Sequence, residues 1–298
     1  MTTITALKSA ATKALVGFGV EPAEARREAE LIAEHITGLT IEEQIKAGSA
    51  ATHPHLEAAL QGILARRQQR EPLQYILGYT HFRGLKFQCH QGVFIPRSDT
   101  ETVVQVALDI LVREGKEPTR VLEVGPGAGT ICISLLHALP HVVVTAVEKS
   151  EAATQATLSN AVAQGEAIET RLTVVQQDWL RFVDCATDRF HLLVSNPPYI
   201  PLRQKTTLQP EVGLWEPHEA LFGGDDDGML VYRQMALRGP EVLFPGGYLV
   251  VEVGDGQAEG VVHILEASHW QAVSVHSDVH GLTRAISACA PRQSVQAG

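Results

Sequence analysis

The chain has 298 residues, enough for one catalytic domain and a smaller companion at roughly 100–200 residues per domain. Hydrophobic residues make up 45%, and glycine (25) and proline (15) are ordinary, which excludes fibrous and disordered classes and leaves material for a sizeable core. A formal charge of −10 repels polyanions, so no stable nucleic-acid partner is expected. The four cysteines (Cys89, Cys132, Cys185, Cys289) are scattered without a C-x-x-C pair, as in a reducing compartment. No signal-like stretch opens the chain and no apolar run approaches a membrane span, so a cytoplasmic chain without a membrane association is expected.

The first seventy or so residues read as helices. Ile4, Leu7, Ala11, Ala14 and Phe18 recur at helical spacing, as do Ala25, Ala29, Ile32 and Ile36, with Gly38 as a stop. Thr40 with Glu43 fits a capping box for a short third helix. A fourth, from about Pro54, is marked by Leu56, Leu60, Ile63, Leu64 and Arg67. These predict a helical bundle over 1–73. Over 74–95, alternating Phe82, Leu85 and Phe87, then Val93, Phe94 and Ile95, broken by glycine, predict a β-hairpin linker. A helix is expected after Pro96, capped by Asp99 or Thr100.

The remainder, 96–298, alternates strand and helix. Short apolar runs at 121–124, 142–147, 172–176, 190–195 and 248–253 predict five strands, with helices near 228–238 and 257–268. Residues 271–278 and 283–290, joined through Gly281, predict an antiparallel pair at the sheet edge. The expected fold is α/β: a doubly wound, mostly parallel seven-stranded sheet that binds ligands at the carboxyl ends of its strands.

Glu123-Val-Gly-Pro-Gly-Ala-Gly129 follows the first of these strands and opens a helix. Gly125 and Gly127 permit a tight turn and close ligand approach, and Gly129 leaves room where helix packs on sheet. Glu148 closes the next strand, placed to accept from the ribose hydroxyls of a nucleoside cofactor. NAD, FAD and S-adenosylmethionine all use such a turn. Pro126 removes an N–H that a pyrophosphate would want, and Glu123 suits a cationic amino-acid group, which favours the methyl donor. Asp178 could accept from an adenine amine.

Asn196-Pro197-Pro198-Tyr199 follows the 190–195 strand. Two prolines stiffen the backbone. The Asn196 side-chain oxygen and the Pro197 carbonyl can both accept from a planar NH2, with Tyr199 against its flat face. Such a nitrogen is a poor nucleophile, and transfer to it depends on placement and electrostatics rather than on a base. The pattern suits an amide or the exocyclic amine of adenine, so an adenine-N6 nucleic-acid methyltransferase is the alternative reading.

With QYILG (74–78), FRGLKF (82–87), IPRSDTE (95–101), EVGPGAG, SNPPYI (195–200), EPHEALFGG (216–224) and DVHGLTR (278–284), nearly the whole chain resembles the protein-(glutamine-N5) methyltransferases that modify peptide chain release factors. The tetrapeptide is shared with adenine methyltransferases; the IPR-x-DTE and EP-x-x-AL-x-GG segments are more discriminating. The resemblance implies S-adenosylmethionine, leaving as S-adenosylhomocysteine, cradled by Gly125, Gly127 and Glu148, with Asp178 or Trp179 near the adenine. It implies that Asn196 and Pro197 hold the glutamine amide of a Gly-Gly-Gln loop, with Pro198 and Tyr199 beside it. Phe82 and Pro96 to Glu101, including Arg97 and Asp99, would border the site. The helical domain would be a second docking surface for the release factor. Ser98 stands where a proline is usual, Pro126 and Ala128 replace commoner threonines, and GGDDDG (223–228) holds an extra acidic residue.

The scattered histidines, among them His35, His53, His55, His81, His90 and His137, form no metal motif, and His276, Asp278 and His280 read as a solvated turn, so no metal is expected. Arg284 reads as a structural ion pair. With no dimerisation motif, a monomer is expected.

Overall fold

The computed structural model describes residues 3–48 and 54–291, which leaves His53 outside. Met1–Tyr79 and Gln209–Trp215 form one compact unit, Thr80–Leu208 and Glu216–Gly298 another. The first holds α1 (Ile4–Gly17), α2 (Pro22–Thr37), α3 (Ile41–Lys46), α4 (Pro54–Arg67) and α5 (Leu73–Leu77). Thr40 and Glu43 make the expected capping box at α3, and Gly38 ends α2 with φ 70°. Leu7, Leu15, Ala29, Ile32, Leu60, Leu64 and Leu73 fill the core of this unit.

β1 (Tyr79–Phe82) and β2 (Leu85–Gln88) form a two-stranded hairpin. Its loop residues, Arg83 and Gly84, take φ of 48° and 77°, the double positive φ of a turn whose twist matches the strands. Val93–Ile95, expected to be extended in the same hairpin, joins no strand. The Ile95 N–H donates to Glu216 Oε2 at 3.1 Å instead of to a ladder.

Then follow α6 (Thr100–Glu114), β3 (Thr119–Val124), α7 (Thr130–Ala138), β4 (Val142–Glu148), α8 (Glu151–Gln164), α9 (Glu166–Glu169), β5 (Leu172–Gln176), α10 (Trp179–Cys185) and β6 (Phe190–Ser195). After these come α11 (Pro210–Trp215), α12 (His218–Leu221), α13 (Leu230–Arg238), β7 (Leu243–Glu252), α14 (Ala258–Ala267), β8 (Gln271–Ser277) and β9 (Thr283–Cys289). α11 lies in sequence within the 96–298 segment yet groups with the N-terminal helices. The sheet runs β5-β4-β3-β6-β7-β9-β8, parallel from β5 to β7 and antiparallel at β7–β9 and β9–β8. Of the final pair only β8 is at the edge; β9 is inserted beside β7.

Strand periodicity builds the layers. Val121, Leu192, Val194 and Val250 pack on one face with α6 and α7, while Leu122, Leu193, Leu249 and Val251 pack on the other with α13 and α14. Both faces are covered, which is why these strands read as continuous apolar runs. The chain order reverses between β3 and β6, where a doubly wound sheet opens its crevice. Among the described residues no helix is long and apolar enough to cross a membrane.

Candidate active site

Register fixes what meets at the carboxyl edge. Gln176 pairs with Glu148, Val147 with Val124, Val124 with Ser195 and Ser195 with Val251. The residues at or just beyond the end of each strand therefore line up in the order Asp178, Glu148, Gly125, Asn196, Glu252. A cavity of about 370 Å³ opens along this edge, lined among others by Glu123, Gly125, Gly127, Glu148, Asp178, Trp179, Asn196, Pro197, Pro198 and Tyr199.

Gly125 and Gly127 have φ of 70° and 59°, and no protein atom lies within 4 Å of where a Cβ would stand. Gly129 (φ 83°) faces protein instead: a Cβ would come within 3.0 Å of Ile133 Cδ1 and 3.2 Å of Thr157 Cγ2. Two glycines thus open to the cavity and the third seats a helix. The Gly125 N–H donates to Val147 O at 2.9 Å, and buried Asn160 donates to Ala128 O at 2.9 Å and accepts from the Gln88 N–H at 2.7 Å. Glu148 accepts from Ser150 N at 2.9 Å and Gly127 N at 3.3 Å; burial raises its pKa against those bonds. Glu123 accepts from the Cys132 N–H at 2.9 Å through Oε2, while its buried Oε1 has no partner among the described residues. Burial pushes its carboxyl up to about 7.

The tetrapeptide is clamped on every side. Ser195 Oγ donates to Val124 O at 2.7 Å, and Gln257 Nε2 donates to Tyr199 O at 2.8 Å. A Cβ on Gly228 would stand 2.1 Å from Tyr199 O, and one on Gly254 2.8 Å from Tyr199 Cδ2. Asn196 Nδ2 donates to Thr100 Oγ1 at 3.0 Å, Thr100 Oγ1 donates to Glu252 Oε2 at 2.6 Å, and Tyr199 Oη donates to Glu252 Oε1 at 3.4 Å. Asn196 Oδ1 makes no hydrogen bond among the described residues. Glu252, missed in the sequence, is buried at the last position of β7. A glutamate ending an apolar strand and followed by Val-Gly was its available signal.

Other expected residues sit elsewhere. Phe82 is in the core, edge-on to Phe87 with ring centroids 6.2 Å apart. Arg97 stacks over Phe94 at 5.3 Å and pairs with the buried Glu216. Glu101 accepts from the Arg83 N–H at 3.3 Å. These three and Asp99 lie outside the cavity lining. Neither Asp99 nor Thr100 caps α6 with its side chain, as their position suggested. Asp99 instead pairs with Arg284 at 3.2 Å, and Thr100 turns to Glu252. Arg284 also pairs with Asp255 at 2.8 Å and Asp278 at 3.4 Å. Asp178 caps α10, accepting from Leu180 N at 3.0 Å and Arg181 N at 3.3 Å. Asp225 and Asp227 of the acidic loop pair with Arg233. His276 bonds Ser287 at 2.8 Å, and Asp278 accepts the His280 and Leu282 N–H groups within its turn.

A parallel sheet with an inserted antiparallel last strand, a glycine turn after β3 and an acid ending β4 define a class I methyltransferase. A methyltransferase from Pyrococcus furiosus shares the fold, at TM-score 0.50 and 13% identity over 70% of this chain and 91% of that one. The family described as PrmC N-terminal domain matches residues 7–78, and the one described as methyltransferase small domain matches 84–212. A release factor glutamine methyltransferase of Geobacter sulfurreducens is 41% identical over 78% of this chain and 78% of its own length. One of Rhodospirillum rubrum is 36% identical over 91% of this chain and 80% of its own. The chain belongs to the release factor glutamine methyltransferases, and S-adenosylmethionine is its cofactor.

The residues present fit that cofactor. Two glycines without Cβ atoms leave the cavity wall open to close approach, and Glu123 Oε1 offers a buried negative partner to a cationic ammonium group. The lining's apolar side chains, such as Ile131 and Leu180, suit a purine.

Proposed function

We propose that the chain methylates the side-chain amide nitrogen (N5) of the glutamine in the Gly-Gly-Gln loop of a peptide chain release factor. One observation carries the reading: Asn196 gives its Nδ2 to Thr100, which leaves Oδ1 as the acceptor end of a side chain that lines the cavity, with Pro197, at the switch point. Two acceptors set side by side by a diproline hold both N–H bonds of a primary amide and thereby orient its nitrogen. Bound S-adenosylmethionine supplies an electrophilic methyl on a sulfonium sulfur. Gly125, Gly127 and Glu123 would hold its amino-acid part, Glu148 its ribose, and Asp178 and Trp179 would border its adenine. Tyr199 packs beside the amide. Polarisation by the acceptors raises electron density on nitrogen, and no base has to remove a proton first, because the N–H becomes more acidic as the new bond forms and its proton then passes to solvent.

The helical unit is the proposed second docking surface for the factor, with the exposed Ile45 and Leu214 as apolar contacts. The enzyme is read as a cytoplasmic monomer. The test is methyl transfer from labelled cofactor to a purified release factor, to the same factor with its Gly-Gly-Gln glutamine replaced by alanine, and to adenine-containing duplex DNA. Label on the intact factor alone, lost in N196A, is expected. Label on DNA would overturn the reading.

A further inference from the structure

The hydrogen-bonded line Asn196–Thr100–Glu252 has a direction that follows from counting protons. An ionised carboxylate has none to give, so the single hydroxyl proton of Thr100 goes to Glu252 Oε2, 2.6 Å away. The Thr100 oxygen then offers only lone pairs to Asn196, and the asparagine must present its NH2, as it does at 3.0 Å. Oδ1 is the end left over. A Glu252 protonated on Oε2, the oxygen that faces Thr100, reverses each step. Its O–H donates to Thr100, the threonine proton turns to Asn196, and the amide settles with Oδ1 on Thr100 and NH2 outward. Against a glutamine amide the first arrangement sets acceptor to donor, and the second sets donor to donor. Thr100 and Glu252 are both buried, so water does not readily replace either partner.

We infer that Glu252 is a positioning residue which, acting through Thr100, sets the polarity of Asn196: its carboxylate form leaves Oδ1 for the substrate amide, and its acid form withdraws it. The inference rests on the proposed role of Asn196 and adds a pH-sensitive control to that site. The groups around Glu252 come from several elements. Asp99 and Thr100 face it at the start of α6, Tyr199 from the tetrapeptide and Arg284 from β9, with Arg284 shared among Asp99, Asp255 and Asp278. Tyr232 of α13 donates to the Glu252 backbone carbonyl at 2.9 Å. Burial, seconded by Asp99, pushes the carboxyl up to about 7 against the hydrogen bonds of Thr100 and Tyr199 and the charge of Arg284. Activity therefore rises with pH through the neutral range.

The experiment measures kcat and KM for release-factor methylation from about pH 5.5 to about pH 9, across the range where such a carboxyl titrates. Wild type, T100V, T100S, E252Q and E252L are compared, with N196A as control and cofactor affinity and thermal midpoint as checks of folding. T100V keeps the shape of threonine but has no hydroxyl to relay. Its kcat should fall at least about tenfold with little change in cofactor affinity, and its neutral inflection should vanish; T100S should recover both. E252Q keeps an oxygen for Thr100 and takes up no proton, so its acid limb should disappear while it retains more kcat than E252L. Wild-type kcat and pH profile in T100V, or a surviving neutral inflection in E252Q, would overturn the inference. If T100V does not fold, the E252Q profile decides. Inactivity of the wild type on the factor, or full activity of N196A, would sink the reading of Asn196 itself, a result distinct from failure of the relay.

Discussion

A methyl group added to each glycine of the 125–129 turn meets different surroundings, and that difference separates binding from folding. In G129A the new Cβ would press on Ile133 and Thr157 at 3.0 and 3.2 Å from a backbone at φ 83°. Crowding and an incompatible φ together are expected to cost about 1–3 kcal/mol of stability, read from thermal or urea unfolding. G127A meets no protein atom within 4 Å, so its folding cost is limited to the strain of a left-handed alanine, about 1–2 kcal/mol. Its methyl stands on the cavity side. Affinity for S-adenosylhomocysteine, measured by titration calorimetry, should drop by about tenfold or more, whereas folded G129A should bind nearly as wild type. Glu123 gives a second test. Its carboxyl is raised by burial to about 7, and an ammonium partner would lower it. Cofactor binding near neutral pH should then release protons, visible as a dependence of the binding heat on buffer ionisation enthalpy. E123Q should release fewer; an unchanged release would remove Glu123 from the ammonium site.

At the scale of elements, α4 supplies the connection within the helical unit. Arg67, on the buried face that periodicity marked, donates from Nε and Nη2 to Glu28 of α2 at 2.9 and 2.8 Å and from Nη1 to Glu211 of α11 at 2.8 Å. Arg70 adds a bond to Glu211 at 2.7 Å and one to the Phe18 carbonyl at 2.8 Å. The Arg67 and Glu28 side chains are only 4% and 8% exposed, so removing one partner leaves a buried charge half-compensated. E28Q should lose about 3 kcal/mol in urea unfolding, and E28M/R67M should recover much of it. A double variant no more stable than either single one would contradict this. The helix face was legible because its apolar neighbours repeat; the ion-pair partner was not, because Glu211 is 144 residues away. The same contrast holds at the active edge. Asn196, Gly125 and Glu148 could be read where an apolar run stops at a turn or an acid. Glu252 carried the same local signal, an acid ending an apolar run, but its link to Thr100 and Asn196 could not be read, since it depends on β7 lying beside β6 and on α6 starting near both. Composition and spacing do not carry sheet order. Asp99 and Thr100 show the reverse error: a locally plausible cap is overridden by tertiary partners, Arg284 and Glu252.

The whole molecule carries a charge of −10, yet its strongest pH response should come from carboxylates that solvent hardly reaches. Burial raises the pKa of Glu123, Glu148, Glu216 and Glu252, two of them to about 7. Unfolded glutamate titrates near about 4.3, so ionising these groups costs the folded chain more than the unfolded one. Their stabilising contribution is complete below the unfolded value and is lost as pH rises through the folded one. Glu211 and Asp227 act the other way, with pKa values lowered despite partial burial by hydrogen bonds from Arg70 and Arg233. What they add is present above about pH 4 and is lost only in stronger acid. Stability of the cofactor-free chain should therefore peak near about pH 5 and fall by on the order of 2–4 kcal/mol by about pH 8. Urea unfolding of the sheet unit at fixed ionic strength measures this, and E123Q and E252Q should each flatten the slope. Surface repulsion among excess acidic groups would also destabilise the chain as pH rises, but salt screens exposed charges far more than buried ones. A slope that survives at about 0.5 M salt and shrinks in the two glutamine variants assigns the loss to the buried carboxylates. A slope abolished by salt and untouched by the variants would assign it to the surface, and would mean that the carboxyl edge of the sheet tolerates its charges without cost.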